Sequence, residues 1–171
     1  MGCGQKVGKY VKDGNLTETK RSRKVSMMFE DFYVRQAKNF SEGLLLEIAN
    51  DYEFPTAVYY GNAVTVFRSP AEMANALQDY RLALRQLGHR VTTTHVVTQS
   101  LSHSNRISVL VDSQHVDDHG ALIGRSDIQY FCTIRNNQRI RLNMASYISA
   151  PSEEAIRKLV GSADLTPCAR H

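Results

Sequence analysis

The chain has 171 residues, 42% hydrophobic and 22% charged, enough for one domain with a sizeable core. No apolar run approaches the roughly 18 residues that a membrane helix needs. No apolar signal core follows Met1, so the expectation is a cytoplasmic protein without a membrane partner. The basic balance is local: seven Lys/Arg against two Asp/Glu fall in residues 1–24, leaving fourteen against fifteen in the rest. The folded part therefore lacks the electrostatic footprint of a nucleic-acid-binding domain. Cys3, Cys132 and Cys168 are far apart and odd in number, with no CxxC and no zinc spacing. That pattern fits a reducing compartment and points to no metal and no cofactor.

Residues 1–24 are rich in Gly and Lys and carry no apolar period, so they read as a disordered basic leader. Met1-Gly2-Cys3 has the look of an acylation start, but Lys6 stands where Ser or Thr is needed. Met27-Met28 opens the first patterned segment and offers an alternative start of translation. The domain proper is expected over 25–160, with 161–171 as a tail.

Val25, Met28, Phe29, Phe32, Tyr33 and Gln36 follow helical spacing and predict a helix near 26–39. Ser41 reads as the cap of a short second helix through Leu44, Leu45 and Ile48. Phe54-Pro55 ends helical character. Residues 56–60 and 63–67 are β-rich and flank Gly61-Asn62, which predicts a hairpin. Ser69-Pro70-Ala71-Glu72 carries a capping box with proline at the first helical position. It opens a helix near 70–87, with Met73, Leu77, Tyr80 or Arg81, Leu84 and Leu87 as its apolar stripe and Gly88 as its stop.

Four strands follow, near 90–101, 106–117, 122–135 and 139–149. A three-residue loop at 136–138 pairs Ile134 with Ile140, Cys132 with Leu142, Tyr130 with Met144 and Ile128 with Ser146, collecting the apolar partners on one face. The opposite face then carries Asp127, Gln129, Thr133, Arg141 and Asn143. For the preceding hairpin, Ile107, Val109 and Val111 share the inner face with Ile128 and Tyr130, and Ser113, His115 and Ser126 continue it. Residues 151–159 read as a closing helix whose charges complement its dipole. The fold class is therefore α+β: a curved, mostly antiparallel sheet wrapped around N-terminal helices, cone-shaped, with a central pocket.

This order, with Phe29-Glu30-Asp31-Phe32-Tyr33, Tyr52-Glu53-Phe54-Pro55, Phe67-Arg68-Ser69-Pro70-Ala71-Glu72, Tyr130-Phe131-Cys132-Thr133-Ile134 and Arg139-Ile140-Arg141-Leu142, resembles the SnoaL-like branch of the nuclear-transport-factor-2-like superfamily, the cystatin-like cone. The resemblance covers residues 26–150. It implies a pocket between sheet and helices and often a homodimer through the outer sheet face. It also implies, for isomerase-like and cyclase-like members, an acidic base next to the proline leading into the hairpin. Here Phe54 occupies that position, with Glu53 and Asp51 further back.

The candidate catalytic residues are His95 and Tyr33. His95 alternates with Val91 and Val97; if that face is inner, its imidazole is a general acid or base in the pocket. The alternative is a surface or satisfied core histidine. Tyr33, Tyr59 and Tyr130 could each direct one phenol hydrogen bond at a carbonyl or enolate oxygen, the commoner case being a tyrosine packed with its hydroxyl satisfied. Ser113, His115 and Ser126 complete the candidate pocket. Two functions compete. One is a protein binding a small apolar or aromatic molecule, extending to cofactor-free isomerisation, cyclisation or dehydration. The other is a non-catalytic homodimeric interaction or accessory domain. Pocket size and content separate them.

Overall fold

The computed structural model describes residues 14–101, 106–136 and 138–161. The elements run α1 (Gly14–Glu42), α2 (Leu45–Ala49), β1 (Tyr52–Tyr60), β2 (Ala63–Phe67), α3 (Pro70–Gln86), β3 (Val91–Leu101), β4 (Arg106–Val116), β5 (Leu122–Ile134), β6 (Ile140–Tyr147) and α4 (Glu153–Val160). One six-stranded sheet has the order β2-β1-β6-β5-β4-β3, antiparallel except where β1 lies parallel to β6. The helices cover one face, so an α+β cone is the architecture, as expected.

α1 begins at Gly14, so residues 14–24, expected to be disordered, are helical; residues 1–13 and the tail from 162 onward lie outside the described residues. Apolar periodicity was a blind guide there. Lys, Arg and Glu are good helix formers, and a helix already nucleated by the packed turns at Phe29, Phe32 and Tyr33 can propagate outward through them.

Ser41 belongs to α1 rather than capping α2, which has no side-chain cap. Its hydroxyl donates to the Ala37 carbonyl at 2.9 Å and accepts the Thr92 amide at 2.8 Å, tying α1 to β3. The end of α1 is held instead by α3. Buried Arg81 donates to the carbonyls of Phe40 and Ser41, both at 2.8 Å. Between them the chain turns at Gly43, φ +83°, where an added Cβ would lie 3.1 Å from the guanidinium. The capping box forms: Glu72 N–H donates to Ser69 Oγ at 3.3 Å, and the Glu72 carboxylate accepts from Arg68 N–H at 2.7 Å. Met73, Leu77, Tyr80, Arg81 and Leu84 are buried, whereas Leu87 is exposed.

The expected register of β5 against β6 holds at Ile134↔Ile140 and Cys132↔Leu142 and then slips by one, giving Phe131↔Met144, Tyr130↔Ala145 and Ile128↔Tyr147. Asn143 is the extra residue, a β-bulge. Its carbonyl accepts from Thr56 Oγ1 at 2.8 Å and its amide donates to Glu53 at 2.8 Å. The bulge turns Ala145 and Tyr147 inward in place of Met144 and Ser146. β4 and β5 pair as Val109↔Tyr130, Val111↔Ile128 and Ser113↔Ser126, which puts these residues on one shared face, as expected. At Gly124 an added Cβ would stand 2.7 Å from Pro151 Cβ, so the lead into α4 crosses β5 only over a glycine.

Gly43→Ala should lower stability by about 1–2 kcal/mol through the cost of a left-handed non-glycine residue, with Arg81 displaced in addition. Urea unfolding measures it; a loss below about 0.5 kcal/mol would contradict the α1–α3 clamp as drawn.

Candidate functional site

Between the sheet and α1–α3 lies a cavity of about 70 Å³. Tyr33, Gln36, Phe40 and Tyr80 line it from the helical side, and Tyr52, Thr92, Thr94, Ser113, His115, Ser126, Ile128, Tyr130 and Tyr147 from the sheet. Strand alternation explains the second group. Thr92 and Thr94 point inward on β3, Ser113 and His115 continue the apolar stripe of Ile107, Val109 and Val111 on β4, and Ser126 sits opposite Ser113 on β5.

Five of the seven residues singled out from the sequence meet here: Tyr33, Ser113, His115, Ser126 and Tyr130. Two do not. His95 lies on the outer face with 56% of its side chain exposed, its Nδ1 3.6 Å from Asp112 Oδ2. The face it shares with Val91 and Val97 is the solvent face; β-branched residues line both faces of β3 and hid the choice. Tyr59 is also on the outer face, 36% exposed, because the β1 residues that point inward are Thr56 and Val58.

His115 is 3% exposed. Its Nδ1 is 3.0 Å from Thr92 Oγ1 and its Nε2 3.0 Å from Ser126 Oγ. Burial, then the neighbouring His89, pushes its pKa down to about 3. His89, fully buried after the Gly88 turn, contacts the same Thr92 hydroxyl at 2.8 Å. Burial, then the charges of Arg81, Arg85 and Arg90, lowers its pKa to about 4. Phe40 packs beside both rings, at 5.8 and 6.4 Å. Both imidazoles are therefore neutral at pH 7. With both nitrogens occupied, His115 orders the wall of the cavity and is a poor proton acceptor.

Two hydroxyls of the lining, Tyr33 Oη and Thr94 Oγ1, are buried and have no partner among the described residues. Burial, the largest cause, raises the Tyr33 phenol well above its usual range, so it stays a donor. Gln36 adds an acceptor. Its Nε2 donates to buried Asp51 at 2.5 Å; a carboxylate can only accept, so the amide oxygen is the free end.

Neither upstream carboxylate reaches the cavity. Asp51 accepts from Arg35 at 2.9 Å as well as from Gln36. Glu53 accepts from Arg135 Nε at 2.8 Å, from Arg135 Nη2 and from Asn143. Among the described residues no carboxylate lines the cavity and no group of three His, Cys, Asp or Glu could hold a metal ion. Cys132 is buried and donates to the Ile107 carbonyl at 3.4 Å; burial pushes its pKa up to about 12, so it is no nucleophile. His89, Thr92, Thr94, Tyr80 and Gln36 escaped the sequence reading. For Thr92 and Thr94 the signal was present in their alternation with Val96; His89, in a turn, gave none.

No family model and no curated protein matches the chain. Solved structures do resemble it. A nuclear-transport-factor-2-like protein with a cystatin-like fold from Novosphingobium aromaticivorans superposes with a TM-score of 0.58 at 11% identity, over 88% of this chain and 99% of its own. A domain of unknown function with a cystatin-like fold from Nostoc punctiforme gives 0.56 at 13%, over 74% and 77%. A protein of unknown function from Mycobacterium tuberculosis gives 0.54 at 12%, over 85% and 90%. At such identities the likeness carries the fold and nothing finer.

The buried imidazoles make stability fall on acidification. Their folded pKa values, about 4 and about 3, lie below the unfolded value of about 6.5. The unfolded chain therefore binds the extra protons. Their stabilising contribution is complete above pH 6.5 and is lost progressively as the pH falls toward 3, at roughly 1.4 kcal/mol per pH unit per histidine where each is protonated only when unfolded. Between pH 6 and 5 the unfolding free energy should drop with a slope near two protons, and near one in His115→Gln. A flat profile over that interval would contradict the neutral pair.

Proposed function

We propose that this chain, which has the cystatin-like, nuclear-transport-factor-2-like α+β fold, is a SnoaL-like protein whose cone binds one small, largely apolar or aromatic molecule carrying a hydrogen-bond acceptor. The observation that carries the reading is the pair of unpartnered buried hydroxyls, Tyr33 Oη and Thr94 Oγ1, in the lining of one cavity. A buried hydroxyl without a partner costs about 1–3 kcal/mol, and a cost of that kind in a cavity wall is what a ligand or water would repay. The Tyr33 and Tyr130 rings, 4.9 Å apart, add an aromatic wall. The cavity is small beside the 300–1,000 Å³ common for ligand pockets, which restricts the ligand to a few heavy atoms unless Phe40 or Leu77 moves. Proton abstraction by the route of the isomerase-like relatives has no carboxylate to run on, because Asp51 and Glu53 are committed to cations. If the protein turns its ligand over, Tyr33 is the residue available to stabilise a developing oxyanion.

The binding role separates from a structural one by opposite effects. Tyr33→Phe and Thr94→Val each remove an unpaired polar group, so the empty protein should be as stable or more stable by up to about 1 kcal/mol. The same variants should weaken binding of a small ketone or lactone, found by thermal-shift screening of the wild type, about tenfold each. Unchanged affinity in both variants would end the reading.

A second reading, a homodimer through the outer sheet face, is favoured by a different observation. Four of the five polar groups expected there are already used inside the chain, all but Thr133: Arg141 on the carbonyls of Asn50 and Tyr52, Asn143 on Glu53, Asp127 on Ser149 and Gln129 on Ser108. What the face offers outward is an apolar row in register, Val66, Ala57, Met144 and Phe131, with Phe131 38% exposed. On this reading a second copy covers the row, and Phe131→Glu converts a dimer to a monomer in light scattering. A wild type that is monomeric at about 100 µM, well above the ordinary range for a specific dimer, would refute it.

A further inference from the structure

The polar wall of the cavity is one continuous chain of hydrogen bonds. It runs from His89 Nε2 to Thr92 Oγ1 at 2.8 Å, on to His115 Nδ1 at 3.0 Å, from His115 Nε2 to Ser126 Oγ at 3.0 Å, and from there to Tyr80 Oη at 3.5 Å. All five residues are buried. Each neutral imidazole carries one N–H, and each hydroxyl carries one proton. The single proton of Thr92 cannot serve both imidazoles, so the chain has a sense.

In one sense His89 donates to Thr92, Thr92 to His115 and His115 to Ser126; the Ser126 proton is then free to turn to Tyr80, which keeps its own for the cavity that it lines. In the other sense every donor and acceptor is exchanged, and the Tyr80 proton is consumed by Ser126. The two differ at the far end. His89 Nδ1 has no partner among the described residues; the first sense leaves it a bare lone pair and the second a buried N–H. Orphaned buried N–H groups are the rarer of the two, and the positive charges acting on this ring, Arg81, Arg85 and Arg90, favour the lone pair as well.

We propose that the chain is ordered from His89 toward Tyr80, with both imidazoles protonated on Nε2, so that the Tyr80 hydroxyl presents a donor to the cavity. His89 and Thr92 are then positioning residues for Tyr80, and His89 acts without lining the cavity. Together with Tyr33 and Thr94, this gives the wall three donors and fits a ligand with clustered acceptors, such as a carbonyl beside an ether or ester oxygen. The ligand class rests on the binding reading above; the proton order does not, and it is measured without a ligand.

The test is a long-range proton–nitrogen correlation on the full chain labelled with 15N-histidine, at pH 7. The expected result is Nε2–H with a pyridine-type Nδ1 on both His89 and His115. An Nδ1–H on either ring overturns the order. In Thr92→Val, the His89 ring loses the one hydrogen-bond partner it has among the described residues and should show averaged nitrogen shifts, while His115, still on Ser126, keeps Nε2–H. A His89 that stays fully Nε2–H there overturns the role of Thr92. Should that variant not fold, Thr92→Ser keeps the hydroxyl and must retain the wild-type tautomers on both rings; a change at either overturns the proposal.

Discussion

A neutral imidazole held at both nitrogens is the constraint around which the interior is arranged. His115 sits where β4 runs out of apolar residues, and its two hydroxyl partners come from β3 and β5. Thr92 is in turn fixed by Ser41 at the end of α1, and Ser126 meets Tyr80 from α3. One polar chain therefore touches both long helices and three strands. Polar groups this deep are tolerable only when satisfied, so the layers must keep their mutual distances. The Arg81 clamp on α1 and the glycine crossing at Gly124 serve the same end from outside.

Much of this was legible in the sequence because local chemistry decided it. Ser69-Pro70-Ala71-Glu72 can only start a helix, Gly61-Asn62 between β-rich runs can only be a tight turn, and the register of β4 on β5 follows from matching apolar partners. The failures have physical causes. The slip at Asn143 is set by Thr56 and Glu53, ninety residues away in part, and no local pattern announces it. β3 carries Thr and Val on both faces, so its inward side is chosen by what covers it: α1 contacts Val96, whose N–H donates to Glu30 at 2.9 Å, and His95 is left outside. The helical stretch before Val25 has no apolar face to reveal it.

The candidate site shows the same division. Ser113, His115 and Ser126 were readable as polar breaks in an inner stripe, and Tyr33 and Tyr130 as aromatics facing them. Thr92 and Thr94 alternate with Val96, but threonine is equally at home on an outer strand face, so the alternation did not say which face was inward. His89 became visible only through its partner. Its importance is tertiary, a buried end to a chain whose other end is a tyrosine in the cavity wall. The upstream carboxylates illustrate the converse. Asp51 and Glu53 are near the hairpin proline in sequence, yet arginines and amides hold them away from the cavity, and the wall is left with neutral hydrogen-bonding groups.

The central claim is that the cavity is built to be occupied at Tyr33 and Thr94. The most direct measurement is a crystal structure at about 1.2 Å resolution, where ordered solvent and small ligands are clear. The account predicts density within about 3.2 Å of Tyr33 Oη and of Thr94 Oγ1, from a water or a small molecule bridging the two walls. An empty cavity, with both hydroxyls rotated onto protein acceptors, would contradict it.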